Sequence, residues 1–161
     1  FKYIINNESD MSFYQRNVPY FDAINWTNNN IPDGTNILSD IRAFRYLSNK
    51  NIIVIQPLLQ NKINISTNLN NSEKFYNQIR TLDIEYIISK DNLNLDSGLK
   101  KNSTYNHHVT NLFINDCIKL IKRLNVNDFG SRAINAFVEK KDNFIINIYK
   151  LNSLNCNIKI D

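Results

Sequence analysis

The sequence predicts an α/β fold in which a small mixed sheet is covered by helices and ends in a β-hairpin. Three observations lead to this prediction. Helical and strand patterns alternate through the first two-thirds of the chain, residues 52–55 form a short β-branched run typical of a buried strand, and two strand patterns follow one another near the end. At 161 residues the chain has the length of one domain, so we expect residues 1–161 to share one core.

The first helix and strand are predicted after an irregular opening. Pro19 is suited to the first position of a helix over residues 19–29. The Pro-Asp-Gly sequence at residues 32–34 predicts a tight turn, and residues 35–39 predict a strand. Residues 41–47 are compatible with a short helix or with an extended segment, and they lead to the buried strand.

The middle of the chain predicts a helix followed by a strand. A polar loop over residues 57–71 comes first. Ser72 is a suitable N-cap for a helix whose apolar face consists of Phe75, Tyr76, Ile79 and Leu82. Residues 84–89 then alternate as expected for a strand, which completes a helix-strand unit of an α/β sheet.

The last third is predicted to contain the strongest helix and the hairpin. After a polar stretch over residues 90–106, helical spacing predicts a helix over residues 108–124. Its apolar face would consist of Val109, Leu112, Phe113, Cys117, Leu120, Ile121 and Leu124. Residues 131–139 and 144–151 predict two strands joined at residues 140–143, and residues 157–160 a short edge strand.

Composition excludes several classes of protein. The hydrophobic fraction of 42% is ordinary for a globular domain, and the excess of Asn and Ile is the bias that AT-rich codons produce. The formal charge is +4, but Lys and Arg are spread along the chain, so we expect no nucleic-acid partner. No apolar run approaches the roughly 20 residues that span a bilayer.

Most familiar catalytic and cofactor motifs are missing. The three glycines are too scattered for a phosphate-binding loop, so no cofactor is predicted. His107 and His108 lack a partner at metal-ligand spacing, and no metal is predicted. Cys117 and Cys156 are compatible with buried thiols or with one disulfide, and the sequence does not choose between them. No catalytic residue is predicted.

Polar residues follow two of the predicted strands and form the candidate site. Asp40, Arg42 and Arg45 come after the first strand, and Ser89, Lys90 and Asp91 end a later one. Ligands of α/β sheets bind beyond the carboxyl ends of the strands. Guanidinium and carboxylate groups offer paired hydrogen bonds to phosphates or sugar hydroxyls, so these six residues are predicted to bind such a ligand. Ion pairing at the surface is the default interpretation of such charges, against which this ligand site is set.

Three segments of the chain resemble a known family. They are residues 20–38, YFDAINWTNNNIPDGTNIL, with RAFRYL at residues 42–47; LDIEYII at residues 82–88; and FIINIYKL at residues 144–151. Together they resemble the segment that follows the last membrane helix in bacterial polytopic glycosyltransferases of the dolichyl-phosphate-mannose mannosyltransferase type. Thr27 is polar where that family usually has an apolar residue.

The resemblance implies an extramembrane domain, on the periplasmic side, of an enzyme that transfers a sugar from a lipid-linked phosphate donor. The family's catalytic carboxylate lies in an early loop between membrane helices, which no position here matches. The chain alone is therefore expected to be inactive and to cover the active site or hold the acceptor. Its implied partners are the transmembrane part of the same polypeptide, a polyprenyl-phosphate sugar, and a glycan or lipid acceptor.

The chain begins at Phe1 without an initiator Met, so we expect it to be the C-terminal part of a longer membrane protein.

Two other functions are alternatives to the glycosyltransferase domain. The first alternative is a stand-alone module that binds phosphate or sugar. The second alternative, a nucleic-acid binder, depends on the basic balance and the aromatic content.

Overall fold

The computed structural model describes residues 9–18, 20–55, 63, 71–91, 104–128, 142–152, 154 and 156–158. In these residues the chain forms five helices and five strands. The helices are α1 (Asp10–Asn17), α2 (Phe21–Asn30), α3 (Arg42–Leu47), α4 (Ser72–Thr81) and α5 (Thr104–Ile114). The strands are β1 (Asn36–Ser39), β2 (Asn51–Val54), β3 (Ile84–Asp91), β4 (Ile118–Asp128) and β5 (Asp142–Leu151).

The strands form one mixed sheet in the order β2-β1-β3-β5-β4. β1 lies between β2 and β3 and is parallel to both. β5 is antiparallel to β3 on one side and to β4 on the other, so the sheet has a parallel half and an antiparallel half. The predicted α/β fold with a small mixed sheet is confirmed, whereas the predicted terminal hairpin of residues 131–139 and 144–151 is not what β5 forms.

Helices cover both faces of the sheet, because the strand residues alternate between two apolar clusters. Leu38 and Ile87 point into the cluster formed with α4 and α5. Ile37 and Ile88, the adjacent residues on the same strands, point into the cluster formed with α2 and α3. This alternation is the two-residue period of a strand, and burial on both faces explains the near-continuous apolar runs of the parallel half.

A disulfide between Cys117 and Cys156 resolves the alternative that the sequence left open. It joins the segment before β4 to the C-terminal tail, across 39 positions of sequence. Backbone hydrogen bonds hold the same region, since the Asn152 N–H donates to the carbonyl of Cys117 at 2.8 Å and the Asn157 N–H to that of Asn115 at 2.9 Å. The tail is thus bound to the end of the α5–β4 turn.

Several predicted elements are confirmed within a residue or two. The helix predicted over residues 19–29 is α2, which follows Tyr20. The turn at residues 32–34 is present, with Gly34 at a φ of 79° that favours glycine. Residues 41–47 contain the helix α3, one of the two alternatives that the sequence left open. The expectation of an irregular opening is wrong for residues 10–17, which form α1. The N-cap of α4 is Asn71, one residue before the predicted Ser72.

The helix predicted over residues 108–124 is confirmed only as far as residue 114, and its second half is wrong. α5 ends at Ile114, Asp116 adopts a left-handed φ of 57°, and β4 starts at Ile118. A bulge explains the misleading pattern, because Leu120 pairs with Tyr149 and Lys122 with Ile148, which leaves Ile121 as an extra residue. The inserted residue converts a two-residue alternation into spacings of three and four that resemble a helix.

The partner of the last strand also differs from the prediction. β5 contains the predicted residues 144–151, but its antiparallel neighbours are β3 and β4. The strand predicted over residues 131–139 lies outside the described residues, as do Pro19 and most of the loop at residues 57–71. Of the predicted edge strand at residues 157–160, only 157 and 158 are described, and neither is in a strand. No helix in the described residues has the length and apolar character needed to cross a membrane.

Candidate ligand site at the carboxyl ends of β1 and β3

The order in which the chain adds strands to the sheet reverses between β1 and β3, which are parallel neighbours. It leaves β1 through α3 to reach β2 on one side, and later enters β3 on the other side through α4. α3 and α4 lie on opposite faces. In open α/β sheets this arrangement leaves a crevice beyond the carboxyl ends of the two strands, and ligands bind there. Asp40 follows β1 at this edge, and Lys90 lies near the end of β3.

Asp40 links the two strand ends. Its carboxylate oxygens Oδ1 and Oδ2 each lie 3.3 Å from the backbone nitrogen of Lys90, which donates to them. The side chain is only partly exposed, and this burial raises the pKa of Asp40 from 3.8 to about 7. The hydrogen bond from Lys90 and the positive charge of its ammonium lower the pKa but do not offset the loss of water.

The Lys90 side chain is directed to Tyr20. Its ammonium nitrogen Nζ donates to the Tyr20 hydroxyl at 3.0 Å and lies 5.3 Å from the centre of the Tyr20 ring. Tyr20 is the residue before α2 and has a left-handed φ of 60°. Within the described residues no ion pair joins the Lys90 ammonium to the Asp40 carboxylate. The edge therefore has one acidic and one basic group with separate hydrogen-bond partners.

The start of α5 supports the end of β3 from the other face of the sheet. The Ser89 hydroxyl donates to Oδ1 of Asn106 at 3.0 Å, and the Asn106 amide donates to the carbonyl of Lys90 at 3.3 Å. The buried Tyr105 hydroxyl donates to the carbonyl of Ile88 at 2.8 Å. Burial, and next the negative charge of Asp40, raise the pKa of Tyr105 well above its usual value, so its hydroxyl remains a donor.

The structure brings together only part of the predicted site. Asp40 and Lys90 are in contact, and Ser89 is buried beside them, where it holds Asn106. Arg42 and Arg45 lie on the exposed side of α3. Asp91 is the last residue of β3. Of the predicted residues, Asp40 and Lys90 thus form the described edge, together with Tyr20 and Asn106.

Sequence reasoning missed Tyr20, Tyr105 and Asn106. Two of them begin the helix that follows β3, and residues that follow a parallel strand are the usual contributors to such an edge. The Tyr105-Asn106 pair could therefore have been found if the helix had been started at residue 104 instead of residue 108. Tyr20 gave no comparable signal, because its position depends on how α2 packs on the sheet.

A second polar cluster lies between α4 and α5 and is internal to the fold. The Ser72 hydroxyl lies 3.0 Å from Nδ1 of the buried His108, and the Asn111 amide donates to Ser72 at 2.9 Å. His108 stacks on Phe75 with ring centres 4.8 Å apart. Since the hydroxyl accepts from Asn111, it can donate to the imidazole, and the cluster ties the two helices together. His108 is therefore a buried residue of the contact between α4 and α5.

Among the residues that the structure describes, no three His, Cys, Asp or Glu side chains are grouped so that they could hold a metal ion. Cys117 and Cys156 are joined in the disulfide and have no thiol to contribute. The edge formed by β1 and β3 is therefore the polar site with the clearest relation to the topology of the sheet.

Comparison of the chain with models of protein families, with curated proteins and with solved structures finds no match in any of the three.

Proposed function

We propose that this chain is a non-catalytic extracytoplasmic domain of a membrane glycosyltransferase that uses a lipid-phosphate-linked sugar donor. In this proposal the domain covers the active site or positions the acceptor, and it contacts the transmembrane part of the same polypeptide. The observation that carries the proposal is the sequence resemblance together with its location. The similar segments contain α2, α3 and most of β1, β3 and β5, and these three strands are neighbours in the middle of the sheet.

The disulfide supports the extracytoplasmic part of this proposal. Disulfides persist in oxidising compartments such as the periplasm and are rare in reducing cytoplasm. Cys117 is fully buried and its sulfur is bonded to that of Cys156. A domain on the outer side of a membrane would keep this bond, and the polyprenyl-phosphate donor of such enzymes is used on the same side.

The test is a transfer assay with membranes that contain the complete gene product. Its substrates are polyprenyl-phosphate carrying a radiolabelled sugar and a crude glycan and lipid acceptor fraction. We expect label transfer by the full polypeptide, a strong reduction when residues 1–161 are deleted, and no transfer by the chain alone. Transfer by the chain alone, or a full-length gene product without membrane-spanning segments, would overturn the proposal.

The second candidate is a stand-alone module that binds a phosphate or a sugar. It is favoured by the polar edge itself, because Asp40, Lys90 and Tyr20 all belong to this chain and need no second domain to meet. Calorimetry of the chain with nucleotide sugars and sugar phosphates tests it. Measurable heat together with a full-length gene product that lacks membrane segments would make this candidate the better one.

A further inference from the structure

We infer that the edge formed by Asp40, Lys90, Tyr20 and Asn106 binds the hydroxyl groups of a neutral carbohydrate and discriminates against phosphates. The inference depends on the proposed function for its choice of a sugar as the ligand. It goes further than that function in two respects. The edge binds the sugar ring of the donor or acceptor and not the lipid phosphate, and Asp40 is the main hydrogen-bond acceptor for the sugar hydroxyls.

The charges at the edge favour a neutral ligand. When Asp40 is ionised, its charge is opposite to that of Lys90, whose backbone N–H donates to the carboxylate. A phosphate placed against the Asp40 carboxylate would meet a like charge, and an organic cation would meet the Lys90 ammonium. Ligands without net charge avoid both penalties.

The hydrogen-bonding capacity of Asp40 favours a ligand with hydroxyl donors. A carboxylate has two oxygens and about four positions at which it can accept hydrogen bonds. The described contacts of the Asp40 carboxylate are two backbone N–H groups, that of Lys90 at 3.3 Å from each oxygen and that of Asp40 itself. Two sugar hydroxyls on adjacent carbons could donate to the remaining positions, as hydroxyl groups both donate and accept.

The other groups at the edge complement a sugar ring. Asn106 provides an amide held in place by Ser89, and Tyr20 provides a hydroxyl and an aromatic ring held by Lys90. All four side chains of the edge are partly exposed. Polar side chains that their neighbours already hold in place lose little conformational entropy when a ligand binds, and this favours the binding even of a small ligand.

Nuclear magnetic resonance of the ¹⁵N-labelled chain tests this inference. Mannose, glucose, galactose and N-acetylglucosamine are each titrated to about 50 mM, with inorganic phosphate and mannose 1-phosphate in parallel. We expect at least one neutral sugar to shift the amide signals of residues 39–41, 89–90 and 105–106, and the phosphates to bind at least several-fold more weakly. Asp40→Asn should weaken sugar binding about tenfold or more, and Tyr20→Phe by a smaller factor.

Glu85→Gln is the matched control, because Glu85 is exposed and lies at the opposite end of β3. It should leave binding unchanged, and the amide spectrum of each variant shows whether it is folded. Absence of shifts with all four sugars, tighter binding of phosphate, or an Asp40→Asn variant that binds as well as the parent would overturn the inference. These outcomes leave the transfer assay unaffected, so failure here and failure of the proposed function are distinguishable.

Discussion

The carboxylate of Asp40 accepts hydrogen bonds of 3.3 Å from the backbone N–H of Lys90, and so joins the carboxyl ends of β1 and β3. Lys90 directs its ammonium to Tyr20, which leaves the partly buried carboxylate without an ion pair within the described residues. Such a group costs stability when it is ionised. An arrangement that weakens the fold at a topological switch point is typical of a binding site.

The first prediction concerns the pH dependence of stability. The folded state raises the pKa of Asp40 from 3.8 to about 7, so between these values it holds a proton that the unfolded chain releases. Asp40 therefore makes the free energy of unfolding fall as the pH rises from about 4 to about 7, and its effect is constant above that. Asp40→Asn should remove this fall and stabilise the chain at pH 8 by up to about 4 kcal/mol, the free energy that corresponds to a change in pKa from 3.8 to about 7.

Urea unfolding of the parent and of Asp40→Asn between pH 4 and pH 8 measures the effect. The two proteins should be similar in stability at pH 4, where the parent carboxyl is protonated, and should diverge as the pH rises. The exposed Glu85→Gln variant should follow the parent at every pH. Curves for Asp40→Asn and the parent that stay parallel over the whole range would contradict the prediction.

The second prediction concerns the disulfide. Reduction of the bond between Cys117 and Cys156 frees a segment of 39 positions in the unfolded state. We expect it to lower the free energy of unfolding by about 2–4 kcal/mol, the range found for loops of this size. Urea unfolding with and without a phosphine reductant measures the loss. The double variant Cys117→Ala and Cys156→Ala should be insensitive to the reductant, and a parent protein that is equally insensitive would show that the bond contributes nothing.

The parallel half of the fold could be predicted from sequence because its signals are local. A β-branched run marks β2, the turn at residues 32–34 marks the start of β1, and the alternation of residues 84–89 marks β3. The region after residue 114 could not, because its structure depends on pairing with β5. Ile118 and Val126 are both at even positions, yet they face opposite sides of the sheet, since the bulge at Ile121 lies between them.

The candidate site was predictable only as far as strand ends could be located. Asp40, Ser89 and Lys90 follow from the rule that ligands bind beyond the carboxyl ends of parallel strands. The rule does not state which strands are neighbours, so the contact between residues 40 and 90 required the strand order. Tyr20 joins the site through the packing of α2, a long-range relationship that no local pattern in the sequence encodes.

The third prediction concerns the polar cluster between α4 and α5. Ser72→Ala removes the hydroxyl that lies 3.0 Å from His108 and accepts from Asn111, while Asn71 remains as the N-cap of α4. Because the imidazole is buried, loss of its hydrogen bond should lower the free energy of unfolding by about 1–2 kcal/mol. Thr81→Ala, an exposed position on the same helix, is the control and should change stability by less than about 0.5 kcal/mol. Thermal and urea unfolding measure both variants. Equal losses of stability for Ser72→Ala and Thr81→Ala would exclude a stabilising role for the cluster.

The fourth prediction separates the observed strand from the helix that the sequence suggests. In a helix over residues 108–124, Ile121 would lie on the apolar face, whereas in β4 it is the bulge residue and is 38% exposed. Ile118 is 2% exposed and belongs to the core beside α4 and α5. Ile118→Ala should therefore lower the free energy of unfolding by about 2–4 kcal/mol, and Ile121→Ala by less than about 1 kcal/mol. The two substitutions are chemically identical, so urea unfolding compares position alone, and a larger loss at Ile121 than at Ile118 would contradict the strand and its bulge.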